Sequence, residues 1–120
     1  MKYLLSIYSN PANWAVLPES ERDGLMAEYA VFSKEIMDSG ELVDGAPLAD
    51  FSTAQTVRVR SGSPEVVDGP FAESKEHLAG YYIVECGSQA RAVEIALRIP
   101  DARFNAVEVR ALLDMGGQEM

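Results

Sequence analysis

The chain has 120 residues and 13.1 kDa, a length that accommodates one domain. Its 19 acidic residues outnumber 10 basic ones, for a net charge of −9, and no run of Lys or Arg interrupts that excess. Phosphate backbones and anionic lipid are held by Lys and Arg displacing counterions, so nucleic-acid and membrane-surface binding are excluded as functions.

Tyr3, Leu5 and Ile7 alternate with Leu4, Ser6 and Tyr8. This predicts a strand over residues 2–8 with bulk on both faces, ended by Asn10-Pro11. From Pro18 to Ser39 the period becomes helical. Leu25, Tyr29, Phe32 and Ile36 form one stripe, widened by Met26, Ala30 and Met37. Glu19, Glu21 and Asp23 suit the positive end of that helix, and Gly40 stops it. Residues 41–47 and 54–61 read as strands, the second alternating Val57 and Val59 with Thr56, Arg58 and Arg60. Gly62-Ser63-Pro64 reads as a turn, and 65–68 as the short return strand of a hairpin.

Gly69-Pro70 ends that hairpin, since proline lacks a ladder donor and glycine permits a sharp bend. Residues 78–86 form a nearly apolar strand. Ser88 is the N-cap of a second helix whose inner face is expected at Ala92, Val93, Ala96 and Leu97, with Pro100 as its stop. Residues 106–113 alternate as a last strand. One domain over 1–114 and a flexible tail over 115–120 complete the expected organisation.

Two helices over one face of an antiparallel sheet in this order is a ferredoxin-like α+β arrangement, here with an inserted hairpin. The helices leave the opposite sheet face bare. Because that face is expected to be apolar, a second copy is its simplest cover, and a homodimer is expected.

Four segments carry a family resemblance. Val67-Asp68-Gly69-Pro70-Phe71-Ala72-Glu73-Ser74-Lys75-Glu76-His77-Leu78-Ala79-Gly80-Tyr81-Tyr82-Ile83 resembles the signature of the YCII-related (DGPF-domain) proteins, with Ser74 where Thr is usual. Lys2-Tyr3-Leu4-Leu5 resembles their opening and Thr56-Val57-Arg58-Val59-Arg60 their central strand. Arg98-Ile99-Pro100 followed by Val107-Glu108-Val109-Arg110 resembles their end, with Ala111 where proline often stands. The likeness runs over residues 1–113. It implies a ferredoxin-like fold that pairs as a dimeric α+β barrel. It also implies, for several members, an association with extracytoplasmic-function sigma factors.

Few residues can carry chemistry. The lone Cys86 has no internal disulfide partner and reads as a buried thiol. The lone His77 cannot found a His-rich metal site, so no metal is expected. Glycine-rich phosphate loops, nucleotide fingerprints and nucleophile elbows are absent, and no cofactor is expected. Histidine titrates near neutral pH, so His77 is the candidate acid or base, with Asp68, Glu73 or Glu76 as the carboxylate that fixes its tautomer. Asp68 just before a rigid bend is a turn residue in one reading and a catalytic carboxylate in the other. Arg58 and Arg60 share one strand face. They are either cross-strand partners of carboxylates or a clamp for a small organic acid. Glu73, Lys75 and Tyr81 are the remaining substrate-binding candidates.

The chain start faintly mimics a signal peptide, but its apolar run is short and no cleavage pattern follows. No stretch approaches the roughly 20 apolar residues of a membrane span. A cytoplasmic protein is expected. Two functions remain open. One is a cofactor-independent isomerase or lyase acting on a small organic acid. The alternative is a non-catalytic small-molecule-binding or regulatory module, associated with a sigma factor.

Overall fold

A computed structural model describes all residues 1–120. Strand β1 (Lys2–Ser9) is followed by a one-turn helix α1 (Pro11–Ala15) and the long helix α2 (Glu19–Asp38). Next come β2 (Leu42–Pro47), the hairpin β3 (Gln55–Arg60) and β4 (Ser63–Asp68), and β5 (His77–Glu85). Helix α3 (Gln89–Leu97), a short α4 (Asp101–Phe104) and β6 (Ala106–Ala111) complete the chain. The main sheet has the order β2-β5-β1-β6, antiparallel throughout, and β3-β4 form a separate two-stranded sheet. Omitting the hairpin, this is the ferredoxin-like α+β fold.

The alternation in β1 explains the core. Tyr3, Leu5 and Ile7 point to the helices and are buried together with Val84, Phe32 and Ile36, and with Ala92, Ile95, Ala96 and Ile99. Each large aliphatic side chain so buried contributes roughly 1.5–3 kcal/mol. The inner stripe of α3 is thus Ala92, Ile95 and Ala96, continued by Ile99, whereas Val93 and Leu97 are 42% and 70% exposed. The expectation for those two is corrected: branched residues flank the small ones on both sides, and sheet contact selects the Ile95 side. In α2 only Phe32 and Ile36 are buried, so the stripe is narrower than expected, with Met26, Ala30 and Met37 exposed.

The other sheet face carries Leu4 and Tyr8, with Ile83 and Tyr81 opposite Leu4 and Ser6. It also carries Glu108 and Arg110, hydrogen bonded to each other at 2.6 Å. It is therefore an apolar centre with a charged margin on β6.

The hairpin turns at Ser61 (φ 50°) and Gly62 (φ 76°), the left-handed pair of a two-residue connection, one position earlier than Gly62-Ser63-Pro64. It stands away from the core: Val57, Val59, Val66 and Val67 are each at least 60% exposed. This arm raises the accessible surface to 7956 Å², about a quarter above the roughly 6,400 Å² of a folded monomer of this mass. The radius of gyration is 16.4 Å, against about 13.6 Å for a folded domain of this length.

The last residues bond to one another and to the chain start, and one further expectation changes. Asp114 accepts the N–H groups of Gly116 and Gln118, Leu113 bridges Glu119, and Lys2 N–H donates to Met120 O at 2.5 Å. Cys86 is half-buried instead of buried, with its thiol 3.4 Å from Ser88 O.

Candidate functional site

A cavity of about 940 Å³ lies where the hairpin base meets the end of the main sheet. Three local structures build its wall. In the first, Asp50 accepts the Ser52 N–H at 3.1 Å and the Ser52 hydroxyl, while the Thr53 hydroxyl donates to Asp50 O at 2.7 Å. This winds Phe51–Thr53 into a single 3₁₀ turn. In the second, the Asp68-Gly69-Pro70-Phe71 bend is tied down by Gly69 N–H to Ala54 O at 2.7 Å, and by the Thr56 hydroxyl to Gly69 O at 2.8 Å. Gly69 has φ 103°, which a side chain disfavours.

The third structure is a bulge. Ile7 pairs Gly80, but Tyr8 pairs Leu78, so Ala79 is an extra residue on β5. Such an insertion re-aims the strand beyond it. Here it brings Leu78 opposite Tyr8, and His77 opposite Ser9, at the cavity wall.

The half-buried His77 ring stacks on Phe51, with centroids 3.8 Å apart and planes within 6°. The Arg58 guanidinium sits 4.7 Å above the centre of the Phe71 ring. Arg58, Asp50, Glu76 and His77 are the ionisable groups along the wall, beside Tyr8 as a fifth at the sheet side. The hydrogen bonds from Ser52 hold the Asp50 carboxyl below its ordinary range, with a smaller electrostatic contribution from the nearby His77. The arrangement can grip a small anion by a guanidinium and offer it an imidazole.

Of the residues singled out in the sequence, the cavity joins His77, Arg58 and Glu76. Asp68 is exposed and accepts Gln55 Nε2 at 3.2 Å, its partner across the hairpin; it is bonded into the ladder and not to His77. Arg60 lies 3.6 Å from Glu65, outside the cavity. Glu73 and Lys75 are exposed on the loop before β5 and do not line the wall. Tyr81 is on the open sheet face, where its hydroxyl donates to Asp44 at 3.4 Å. Sequence reasoning passed over Asp50 and Phe51. The signal was present: an Asp two residues before a Ser favours this turn, and it aims the residue between them.

No three His, Cys, Asp or Glu side chains converge as a metal-ligand group, and no helix is long and apolar enough to cross a membrane. The family model of the YCII-related domain matches residues 1–116. The Uncharacterized protein R00369 of Rhizobium meliloti (strain 1021) is 30% identical over 114 residues, covering 93% of this chain and 92% of that protein. With the sheet order and the Asp68–Phe71 bend already described, a match over nearly the whole length places the chain in the YCII-related family.

Proposed function

We propose that the chain binds a small organic acid in the cavity beside the Asp68–Phe71 bend and transfers a proton on it through His77, as an isomerase or lyase that needs no cofactor. One observation carries the reading: the protein's one imidazole is clamped on Phe51 inside a cavity that also presents Arg58. Arg58 receives the carboxylate of the ligand. His77 faces the same space and exchanges the proton. Asp50, its carboxyl held low by Ser52, lines the same wall. Asp68 serves the turn.

Thermal unfolding against a panel of small carboxylates tests the binding step. A ligand at 100 times its Kd raises the midpoint by roughly 10 °C for a domain of this size. Arg58→Met removes that shift. His77→Gln keeps the shift and lowers turnover of the identified ligand by about 10²–10⁴-fold. Absence of any shift across the panel, with the protein folded, overturns the reading.

The exposed hairpin favours a companion proposal, that a second copy covers the open sheet face and the valines of the arm. The surface excess noted above, about 1,550 Å², is about twice what one subunit contributes to a standard interface, so the arm has area enough for one. A monomer by light scattering at micromolar concentration refutes it. The same exposed arm supports the non-catalytic alternative, a binding or regulatory module that engages a sigma factor. Ligand binding without turnover, together with capture of that sigma factor, selects this alternative.

A further inference from the structure

A second cavity, of about 460 Å³, opens on the helix side of the sheet, between the middle of α2 and strands β2 and β5. It arises because α2 buries its second half only: Phe32 and Ile36 reach the core, while Met26 at the cavity mouth stays 59% exposed. Below it the sheet offers little bulk. Gly45 lets the Tyr82 ring lie against the β2 backbone, where an added Cβ would stand 2.8 Å from Tyr82 Cδ1. Tyr82 is further fixed edge-on to Phe32, with centroids 5.2 Å apart.

The polar groups are few and their protons can be counted. Ser33 Oγ and Tyr82 OH are 2.8 Å apart, and either donates to the other. One bond between two hydroxyls uses one proton, so the pair keeps one O–H to offer. Tyr29 donates its proton to Asp101, and its oxygen keeps lone pairs. Burial, reinforced by Asp101, raises the Tyr29 pKa and keeps that phenol protonated. Asp101 is the one charged residue on the wall, and no Lys or Arg faces it.

We propose that this cavity binds a neutral single-ring phenol, at a site separate from His77. Its volume is in the range of small-molecule sites. Tyr82, Tyr29, Trp14 and Met26 give the ring aromatic and sulfur contacts. The spare hydroxyl proton and the Tyr29 oxygen match a group that both donates and accepts. A carboxylate would meet Asp101 with no cation to balance it.

Trp14 is the one tryptophan of the chain and lies on this wall, so its indole N–H resonance reports occupancy. Titration of the full chain with p-cresol at neutral pH is expected to shift that resonance saturably, and benzoate to leave it in place. Tyr82→Phe weakens p-cresol binding by about fivefold, the effect of one ordinary hydrogen bond. Ser33→Leu, which fills the space and removes the hydroxyl, weakens it at least tenfold, about 1.4 kcal/mol or more. His77→Gln binds as the wild type does, separating this site from the proposed proton-transfer site. The proposal fails if p-cresol gives no saturable shift, if benzoate binds equally well, or if Tyr82→Phe and Ser33→Leu both retain wild-type affinity.

Discussion

The imidazole of His77 lies parallel to the phenyl ring of Phe51, 3.8 Å between centroids. Aromatic pairs of this kind contribute about 0.5–1.5 kcal/mol beyond the area they bury. A double-mutant cycle with Phe51→Leu and His77→Leu, followed by urea unfolding, is expected to give a coupling energy in that range. A coupling near zero would mean that the stack does not hold the ring in place.

The core makes a sharper claim. Ile95 has no exposed surface and packs between α3 and the sheet. Ile95→Ala should cost about 2–5 kcal/mol in denaturant unfolding. Val93→Ala, one turn face away and 42% exposed, should cost much less. Equal losses would put the wrong side of α3 against the sheet.

Acid should weaken the fold through Glu41. Its carboxylate accepts Arg91 Nε at 2.9 Å and Arg91 Nη2 at 2.8 Å, with the Ser39 hydroxyl at 2.8 Å. The Arg91 bonds lead in holding the Glu41 carboxyl below its usual range, against the opposing effect of burial. A depressed folded-state pKa adds stability above the unfolded value of about 4.3, and that stability is lost as pH falls through the folded value. Thermal midpoints of the wild type and Glu41→Gln should therefore differ near neutral pH and converge as pH drops below about 4. A constant difference down to acid pH would count against this bond.

Gly45→Val should be poorly tolerated. The new Cβ meets the Tyr82 ring at 2.8 Å and the Tyr81 carbonyl at 3.0 Å, a clash costing roughly 1–3 kcal/mol. Gly24→Ala, on the open face of α2 with nothing near its Cβ, should be neutral to stabilising because alanine is the better helix former by about 1 kcal/mol. Urea midpoints of the two variants measure the contrast.

The sheet and its two main helices were legible because their signals are periodic. Alternation in β1 and the Leu25–Ile36 stripe of α2 each point to one face, and the structure uses those faces. Depth was not legible. Leu25 and Tyr29 share the stripe of Phe32 and Ile36, yet they end half-buried, because α2 stands off the sheet where the sheet lacks bulk. The site was half legible. His77, Arg58 and Glu76 reach one cavity, but a second carboxylate there comes from Asp50, 27 positions back along the chain from His77. Residue type identifies a carboxylate that could pair with histidine. Only the chain path decides which carboxylates reach its cavity. The Asp68-Gly69-Pro70 bend had two readings, and the Gln55 bond supports the turn reading.

The arm made by β3 and β4 has two unpaired strand edges and four exposed valines, the features from which runaway strand addition grows. Its own sequence carries the safeguard. Pro64, opposite Val59 in β4, has no N–H to offer an incoming strand. Arg58 and Arg60 on β3 place two positive charges on the face behind Val57 and Val59. An arm built this way can present a flat apolar surface to a shaped receptor while refusing to template filaments, which lets it remain exposed in a crowded solution.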